Sequence, residues 1–444
     1  MKCPHCGANN VHDARFCVRC GAPLGHSAAA GPAAVPSAAP PAASAVALHV
    51  PGLPLPAGHL PGAHERSLQH WALAGVGAVI FYLCTVSLNV MLQAAHNSIA
   101  VVILSGFMAV LLVPIYASMI VALDRHASEP GWLLFGAFFW GAIVATAIGG
   151  FLNTKVLVFV AHLAGPKAAF LFVASFVAPV TEETAKGLAL LLIFIFLRAQ
   201  FNDVVDGIVL GGLVGLGFAM VENVSYYARI YVAGGVGALT LLFIIRSIFF
   251  GFGHVLYTAC TGAGLGLAEE TTNPVVRWAA PIVGYLLAMF LHFLWNTVGS
   301  FVGGIQGPAV FLAFPFMTAL LILPGVLTLL AITYFAWKRE SKVLAEQLKD
   351  EVQRGVVRPG EYALLTDDRK RAQRTWQTLL QHGPLPWYFV RQFYNLECAL
   401  AFRKWHTARG EPLPSTLRAY SEDAYREHIA ALRTRLNAMG LSTE

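Results

Sequence analysis

The sequence predicts an all-α polytopic membrane protein of about eight transmembrane helices, with a small cysteine-rich N-terminal segment and a mostly helical C-terminal tail. Of its 444 residues, 57% are hydrophobic and only 12% are charged, whereas about one quarter is charged in a typical soluble domain. Apolar runs of about 20 residues, enough to span a ~30 Å hydrocarbon core, recur along residues 71–337. The bilayer is therefore the expected solvent of this chain.

The apolar runs have different lengths and different interruptions. The fourth and sixth are long and interrupted by Gly or Pro, and residues 155–166 could form a re-entrant or interfacial piece, so seven to nine crossings are compatible with the pattern. The eight runs lie near residues 71–93, 99–123, 132–152, 168–197, 204–227, 237–268, 277–300 and 309–337.

Residues 1–25 have the spacing of a structural zinc site. Two Cys-x-x-Cys pairs, each followed by a glycine, provide four thiolates for one tetrahedral ion, so no coordination position stays open for catalysis. Redox pairs are the alternative, but no βαβ pattern surrounds the cysteines. We therefore expect structural Zn²⁺ in an N-terminal zinc ribbon. Its expected ligands are Cys3, Cys6, Cys17 and Cys20.

Composition divides the rest of the chain. An Ala/Pro-rich stretch that cannot bury a core is expected to be a disordered linker. From Lys338 onward, 18 Lys and Arg face 13 Asp and Glu, which suits a cytoplasmic tail near anionic headgroups better than a nucleic-acid binder. The expected domains are a ribbon at 1–25, a linker at 26–66, a transmembrane domain at 67–338 and a helical tail at 339–444.

Ionisable and amide side chains interrupt the apolar runs between Pro179 and Asn296. A charge at the centre of a membrane helix costs about 2.5 to 3.5 kcal/mol on insertion scales, so such residues usually have a function. A lone Asn or His is often only a contact between helices, but a tandem Glu pair at mid-span is harder to explain that way. The residues are Glu182, Glu183, Lys186, Glu222, Asn223, Arg246, His254, His292 and Asn296.

Their positions predict one polar layer. Glu182, Glu222, His254 and His292 lie about 14 to 19 residues from the expected inner ends of their helices, which is ~21 to 28 Å at about 1.5 Å per residue. They should therefore meet in the outer half of the bilayer. Glycines before Glu222 and His254 would let the helices approach closely there.

These residues resemble, in order, the motifs of the PrsW family of intramembrane proteases. The motifs are Glu182-Glu183-x-x-Lys186, Glu222-Asn223, His254 and His292-x-x-x-Asn296. The chain is also similar to the CAAX-prenyl-protease-like superfamily, since Phe250 precedes His254 by four residues. However, Lys186 stands four rather than five residues after Glu182, which favours the PrsW family. The resemblance implies cleavage of a membrane-anchored regulator, such as an anti-sigma factor, in the bacterial cytoplasmic (inner) membrane. The ribbon thiolates, which need a reducing compartment, and an even number of crossings predict that both termini are cytoplasmic.

The expected activity is peptide-bond hydrolysis by a glutamate-type mechanism. Glu182 would be the general base for water, Glu183 and Lys186 would set its protonation, and His254, His292 and Asn296 would stabilise the oxyanion. Glu222 would be a second acid or a positioning group. A metallopeptidase is the second interpretation, because two His and one Glu also form an open zinc site. A proton-coupled transporter and a non-proteolytic scaffold or sensor are the non-enzyme alternatives.

Overall fold

The computed structural model describes residues 2, 63–125, 129–197, 201, 203–303, 309–410 and 421–444. The chain divides into the units Met1–Ser67 and Leu68–Glu444. The four ribbon cysteines and almost all of the expected linker lie outside the described residues. From residue 63 onward the described chain is helical, which confirms the predicted fold class.

Helices α1 to α12 form the apolar part of the chain. Residues 155–164, which the sequence allows as a re-entrant or interfacial piece, form the continuous C-terminal part of α5. The helices are α1 (Ala63–Ala94), α2 (Ile99–Val110), α3 (Val113–Val121), α4 (Gly131–Phe139), α5 (Thr146–Ala164), α6 (Pro166–Phe172), α7 (Ala178–Phe196), α8 (Val204–Phe243), α9 (Gly253–Glu270), α10 (Pro274–Val302), α11 (Val310–Leu321) and α12 (Leu323–Gln347).

Six stretches of the described residues are long and apolar enough to cross a membrane. One of them, Val204–Glu270, is 67 residues long, more than three times the ~20 residues that one crossing needs. A further helical stretch, Pro166–Phe196, is not among the six and carries the three charges of the Glu-Glu-x-x-Lys motif. The predicted number of eight crossings therefore holds as an approximation.

Helix α8 reverses direction at Gly235. This residue has φ +69° and ψ −160°, a conformation that a residue without Cβ adopts at little cost. The chain after it packs back on the chain before it: the Tyr227 hydroxyl bonds Ser247 Oγ at 2.6 Å, and Leu239 joins Val224 in one buried cluster. The hairpin returns the chain towards α9, as the two separate apolar runs of the sequence predict.

Within the described residues, three π-helical turns lie between the helices that surround the polar layer. Such turns widen the hydrogen-bond ladder and are frequent at functional sites. They release carbonyl groups for side chains: Ala174 O accepts from Asn296 Nδ2 at 2.8 Å, and Ser247 O accepts from the Tyr116 hydroxyl at 2.5 Å. The turns are Trp140–Ala145, Val173–Val177 and Ile244–Phe249.

Glycines bring the backbones of α8 and α9 into direct contact. A methyl group on Gly207 would lie 2.1 Å from Gly262 O, and one on Gly211 would lie 2.5 Å from Thr258 O. A third position, Gly215, would place its methyl group 2.2 Å from His254 O. The predicted close helix approach is thus confirmed, and it sets how near α9 brings its histidine to α8.

The C-terminal tail forms its own buried core. Leu344 of α12 and Leu348, the residue that follows this helix, pack with Phe389, Val390 and Phe393. Tyr388, in contrast, is 42% exposed. The aromatic-rich segment 387–394 therefore contributes the rings of one helix face to the core rather than all of its rings. The tail helices are α13 (Lys349–Gln353), α14 (Pro359–Leu365), α15 (Asp368–His382), α16 (Pro384–Ala408) and α17 (Glu422–Ala438).

We expect Gly211→Ala to destabilise the protein by about 1 to 3 kcal/mol, because the methyl group would meet the Thr258 carbonyl and force α8 and α9 apart. Thermal unfolding in detergent measures this as a lower Tm. Gly136→Ala is the matched control, since an added methyl group there meets nothing within 4 Å. Equal Tm values for the two variants would contradict the close-contact interpretation.

Candidate active site

The structure brings the intramembrane polar residues together in one buried cluster. Helix α7 contributes Glu182, Glu183 and Lys186, α8 contributes Glu222, α9 contributes His254, and α10 contributes His292. Side chains of these four helices contact one another directly, so the residues that the sequence places at similar depths meet in the fold.

A fully buried ion pair lies at the centre of the cluster. Lys186 Nζ donates to Glu183 Oε1 at 2.5 Å, and neither side chain is exposed to solvent. The same ammonium lies 4.5 Å from the centre of the Phe218 ring and 3.2 Å from His254 Nδ1. A buried charge is tolerated only when it is paired and hydrogen-bonded, and Lys186 meets both conditions.

Glu183 also fixes the orientation of His292. Its Oε1 lies 2.8 Å from His292 Nδ1, and the imidazole stacks on Tyr257 with 5.0 Å between ring centres. A carboxylate paired with a lysine can only accept hydrogen bonds, so Nδ1 carries the proton. The neutral ring therefore presents the Nε2 lone pair on its other side.

That lone pair faces Glu182. Its Oε2 lies 3.8 Å from His292 Nε2, is buried, and has no hydrogen-bond partner among the described residues, while Oε1 accepts from Asn153 Nδ2 at 2.9 Å. When Glu182 is ionised, two acceptors face each other at a distance too long for a direct hydrogen bond. The gap suits a water molecule, another donor or a cation.

His254 has the opposite proton arrangement. The Lys186 ammonium can only donate, so His254 Nδ1 accepts and Nε2 carries the proton. Nε2 then donates to Glu222 Oε2 at 3.0 Å. The two imidazole rings are near-perpendicular, with 5.1 Å between their centres. Within the cluster, Nε2 of His292 accepts hydrogen bonds, whereas Nε2 of His254 donates.

Arg246 neutralises Glu222 at the far edge of the cluster. Its NH2 donates to Glu222 Oε2 at 2.5 Å and its Nε to Asn223 Oδ1 at 2.6 Å, while the guanidinium lies 3.9 Å from the centre of the Tyr226 ring. Here the arginine fixes both members of the Glu-Asn motif.

Asn296 is placed differently from its expected role. It donates to the Ala174 carbonyl at 2.8 Å, across the π-helical turn before α7, and so joins α10 to the start of the helix that carries both glutamates. Sequence reasoning also missed Asn153, whose only signal is an amide within an apolar helix. It missed Thr258 as well, which donates to Glu183 Oε2 at 3.5 Å.

The cluster also has the composition of a metal site. Glu182, His254 and His292 each offer a ligand atom, and these atoms lie within 4.8 Å of one another. Two His and one carboxylate with a free fourth position form a known catalytic zinc arrangement. Glu182 Oε2 and His292 Nε2 fit as they stand, whereas His254 would first have to release its hydrogen bond to Glu222.

Comparison with known proteins agrees with this geometry. Residues 129–323 match the model of the PrsW family, described as intramembrane metalloproteases. The polar cluster lies in a PrsW-family segment. Residues 2–24 match a zinc-ribbon domain. Protease PrsW of Oceanobacillus iheyensis is 26% identical over 181 residues, which cover 40% of this chain and 75% of that protein. No solved structure matches the chain.

These matches confirm the two resemblances seen in the sequence. The PrsW-family segment contains every intramembrane residue of the predicted site, from Glu182 to Asn296. This match and the apolar helices together indicate an integral membrane protein.

We expect Lys186→Met to cost about 3 to 5 kcal/mol of stability, because it leaves the buried Glu183 carboxylate without its cation. The double variant Glu183→Gln/Lys186→Met is the control, since it removes both charges and should recover most of the loss. Thermal unfolding in detergent compares the three proteins. If the double variant is as unstable as the single one, the ion pair is not the source of the effect.

Proposed function

We propose that this protein is an intramembrane peptidase that hydrolyses a peptide bond in a membrane-anchored protein substrate. The supporting observation is the facing pair of buried acceptors, Glu182 Oε2 and His292 Nε2, 3.8 Å apart. Two acceptors at that spacing hold a water molecule by its two protons and direct its lone pair outward. Such a water is poised to attack a carbonyl carbon.

In the proposed mechanism Glu182 is the general base. It takes a proton from the water as the oxygen bonds to the carbonyl carbon of the substrate, and it later delivers that proton to the amine nitrogen as the C–N bond breaks. Asn153 holds the other oxygen of Glu182 and so fixes the direction of the base. Glu183 keeps the His292 lone pair turned towards the water.

His254 has the role of donor. Its Nε2 proton, held by Glu222 in the structure, would turn to the carbonyl oxygen as negative charge develops there. Lys186, on the other ring nitrogen, keeps His254 in this tautomer. Glu222, Asn223 and Arg246 position the imidazole. Asn296 acts by holding α10 against α7 rather than by touching the substrate.

A metal-assisted reaction is the second candidate, favoured by the ligand geometry and by the description of the family. Glu182, His254 and His292 would hold the ion. When bound, it would acidify a water molecule and polarise the peptide carbonyl. His254 would then carry its proton on Nδ1, which requires Lys186 to turn fully towards Glu183.

The ribbon, the orientation and the substrate complete the proposal. Cys3, Cys6, Cys17 and Cys20 hold structural Zn²⁺, and this end of the chain and the basic tail face the cytoplasm. The site then lies in the outer half of the bilayer. The substrate would be a membrane-anchored regulator, with an anti-sigma factor as the example taken from the family resemblance.

We expect Glu182→Gln to reduce proteolysis of a single-pass substrate by at least about 10², the effect of removing a positioned general base. Purified protein in proteoliposomes, with the cleavage rate as readout, measures this. Glu346→Gln, an exposed glutamate of α12, is the matched control and should keep full activity. Unchanged cleavage by Glu182→Gln would remove Glu182 from the mechanism, and a wild-type protein that cleaves nothing would favour a transporter or a scaffold.

A second experiment separates the two chemistries. In a full-length chain with all four ribbon cysteines replaced by serine, we expect no stoichiometric metal by elemental analysis, because the ribbon is the proposed zinc site. Cleavage should survive a chelator. One metal ion per chain that is lost on His292→Ala, together with chelator-sensitive cleavage, would replace the glutamate mechanism by the metal one.

A further inference from the structure

Hydrolysis of a peptide bond consumes one water molecule, and the groups at the centre of the polar cluster are buried. Glu183 is 1% exposed and His292 is 2% exposed. On one side of the cluster the two central helices are closed, since every residue from Val204 to Phe218 of α8 and from Gly253 to Gly262 of α9 is buried. Water therefore needs a route from another direction.

Beyond the cluster, α8 carries a stripe of polar side chains. Glu222, Ser225, Tyr226 and Arg229 follow one another at i, i+3, i+4 and i+7, so they share one face of the helix. Burial ends along this face, because the Glu222 carboxylate is 20% exposed and Tyr226 is 42% exposed. Arg229 is exposed and lies six residues before the reversal at Gly235, which is about 9 Å of helix rise. The stripe thus leads from the cluster towards the turn of the α8 hairpin.

A small cavity lies where this stripe meets the cluster. Its volume is about 20 Å³, which is room for about one water molecule. Its polar lining includes Asn223, Arg246 and His254. Among the described residues, hydrogen bonds use two N–H groups of Arg246 and only the oxygen of the Asn223 amide. Guanidinium and amide protons are therefore left to hold a water molecule.

His254 connects this cavity to the reacting groups. It lines the cavity, and one of its ring nitrogens lies within 4.8 Å of a carboxylate oxygen of Glu182 and of a ring nitrogen of His292. A water molecule in the cavity is thus separated by one imidazole from the position between Glu182 and His292. Movement past this ring would bring it to the general base.

We propose that the polar stripe of α8 is the route by which water enters the site from the membrane face nearest the Gly235 turn, and that the cavity beside His254 holds the last water on this route. The inference rests on the proposed peptidase function, because it supplies the water that the reaction consumes. The bilayer core holds no water to hydrogen-bond a path, so the path needs polar side chains. The ion pair of Glu222 and Arg246 gives the mouth this polarity while it positions His254.

Thiol labelling tests the route without relying on catalysis. Ser225→Cys in the stripe is compared with Ile248→Cys in proteoliposomes, with a charged, water-soluble methanethiosulfonate and with labelled positions read by mass spectrometry. Ile248 is the control for depth, because it is 50% exposed and follows Ser247, whose hydroxyl bonds Tyr227 one turn of α8 beyond the cluster. A thiol reacts as the thiolate, which requires water, so Ser225→Cys should react at least about tenfold faster.

The labelling has three informative outcomes. Equal rates for Ser225→Cys and Ile248→Cys would overturn the route whatever the activity of the protein. The native Cys260 of α9 is buried on the other side of His254, and faster labelling there than at Ser225→Cys would place the entry at the opposite end and also overturn it. Fast labelling of Ser225→Cys in a protein that cleaves nothing would support the route and count against the peptidase function alone.

Cleavage kinetics test the cavity. Ala219 lines it, and Ala219→Val adds two methyl groups to a space for about one water molecule, whereas Ala219→Ser adds one hydroxyl that can itself bond to water. Relative to Ala219→Ser, Ala219→Val should lower kcat at least about tenfold and leave KM for a single-pass peptide unchanged, because the route supplies water and does not bind the peptide. Equal kcat values, or a raised KM without a lower kcat, would overturn the role of the cavity.

Discussion

The buried ammonium of Lys186 is the interaction on which the rest of the site depends. It neutralises Glu183 at 2.5 Å and contacts His254 Nδ1 at 3.2 Å, so one charge controls a residue on its own helix and one on α9. Without this ammonium, Glu183 would be an unpaired charge in a low-dielectric environment, and its burial would destabilise the fold by several kcal/mol. Through Glu183 its influence also reaches His292 on α10. Three helices thus share one electrostatic centre.

The sequence predicts much of this fold because the bilayer imposes simple constraints. Apolar length predicts the crossings, and the interruptions at Pro179 and Gly251 each come two residues after a π-helical turn. The close approach of α8 and α9 follows from glycines at Gly207, Gly211 and Gly215. The continuation of α5 beyond residue 152 was not foreseen, because Asn153 and Lys155 lower the local hydropathy although Asn153 faces Glu182 inside the bundle.

The sequence predicts which residues form the site, but not which contacts they make. Charge in a hydrophobic segment is visible in the sequence, and so is depth along a helix. The partner of Asn296 is not, since the Ala174 carbonyl becomes available only where a π-helical turn releases it. In the tail, helical periodicity indicates Leu344 and Leu348 as buried. Which aromatic rings join them depends on the angle of α16, and Tyr388 stays outside while Phe389 is buried.

The proton arrangement of the two histidines links this architecture to chemistry. A carboxylate beside Nδ1 makes His292 an acceptor at the cluster, and an ammonium beside Nδ1 makes His254 a donor there. A metal ion bound by both histidines would need an unprotonated nitrogen with a free lone pair on each ring. The present pairing instead gives one side that binds the protons of a water and one side that donates to an oxyanion. Lys186 creates this difference, and the glutamate mechanism that we propose therefore rests on its contact with His254.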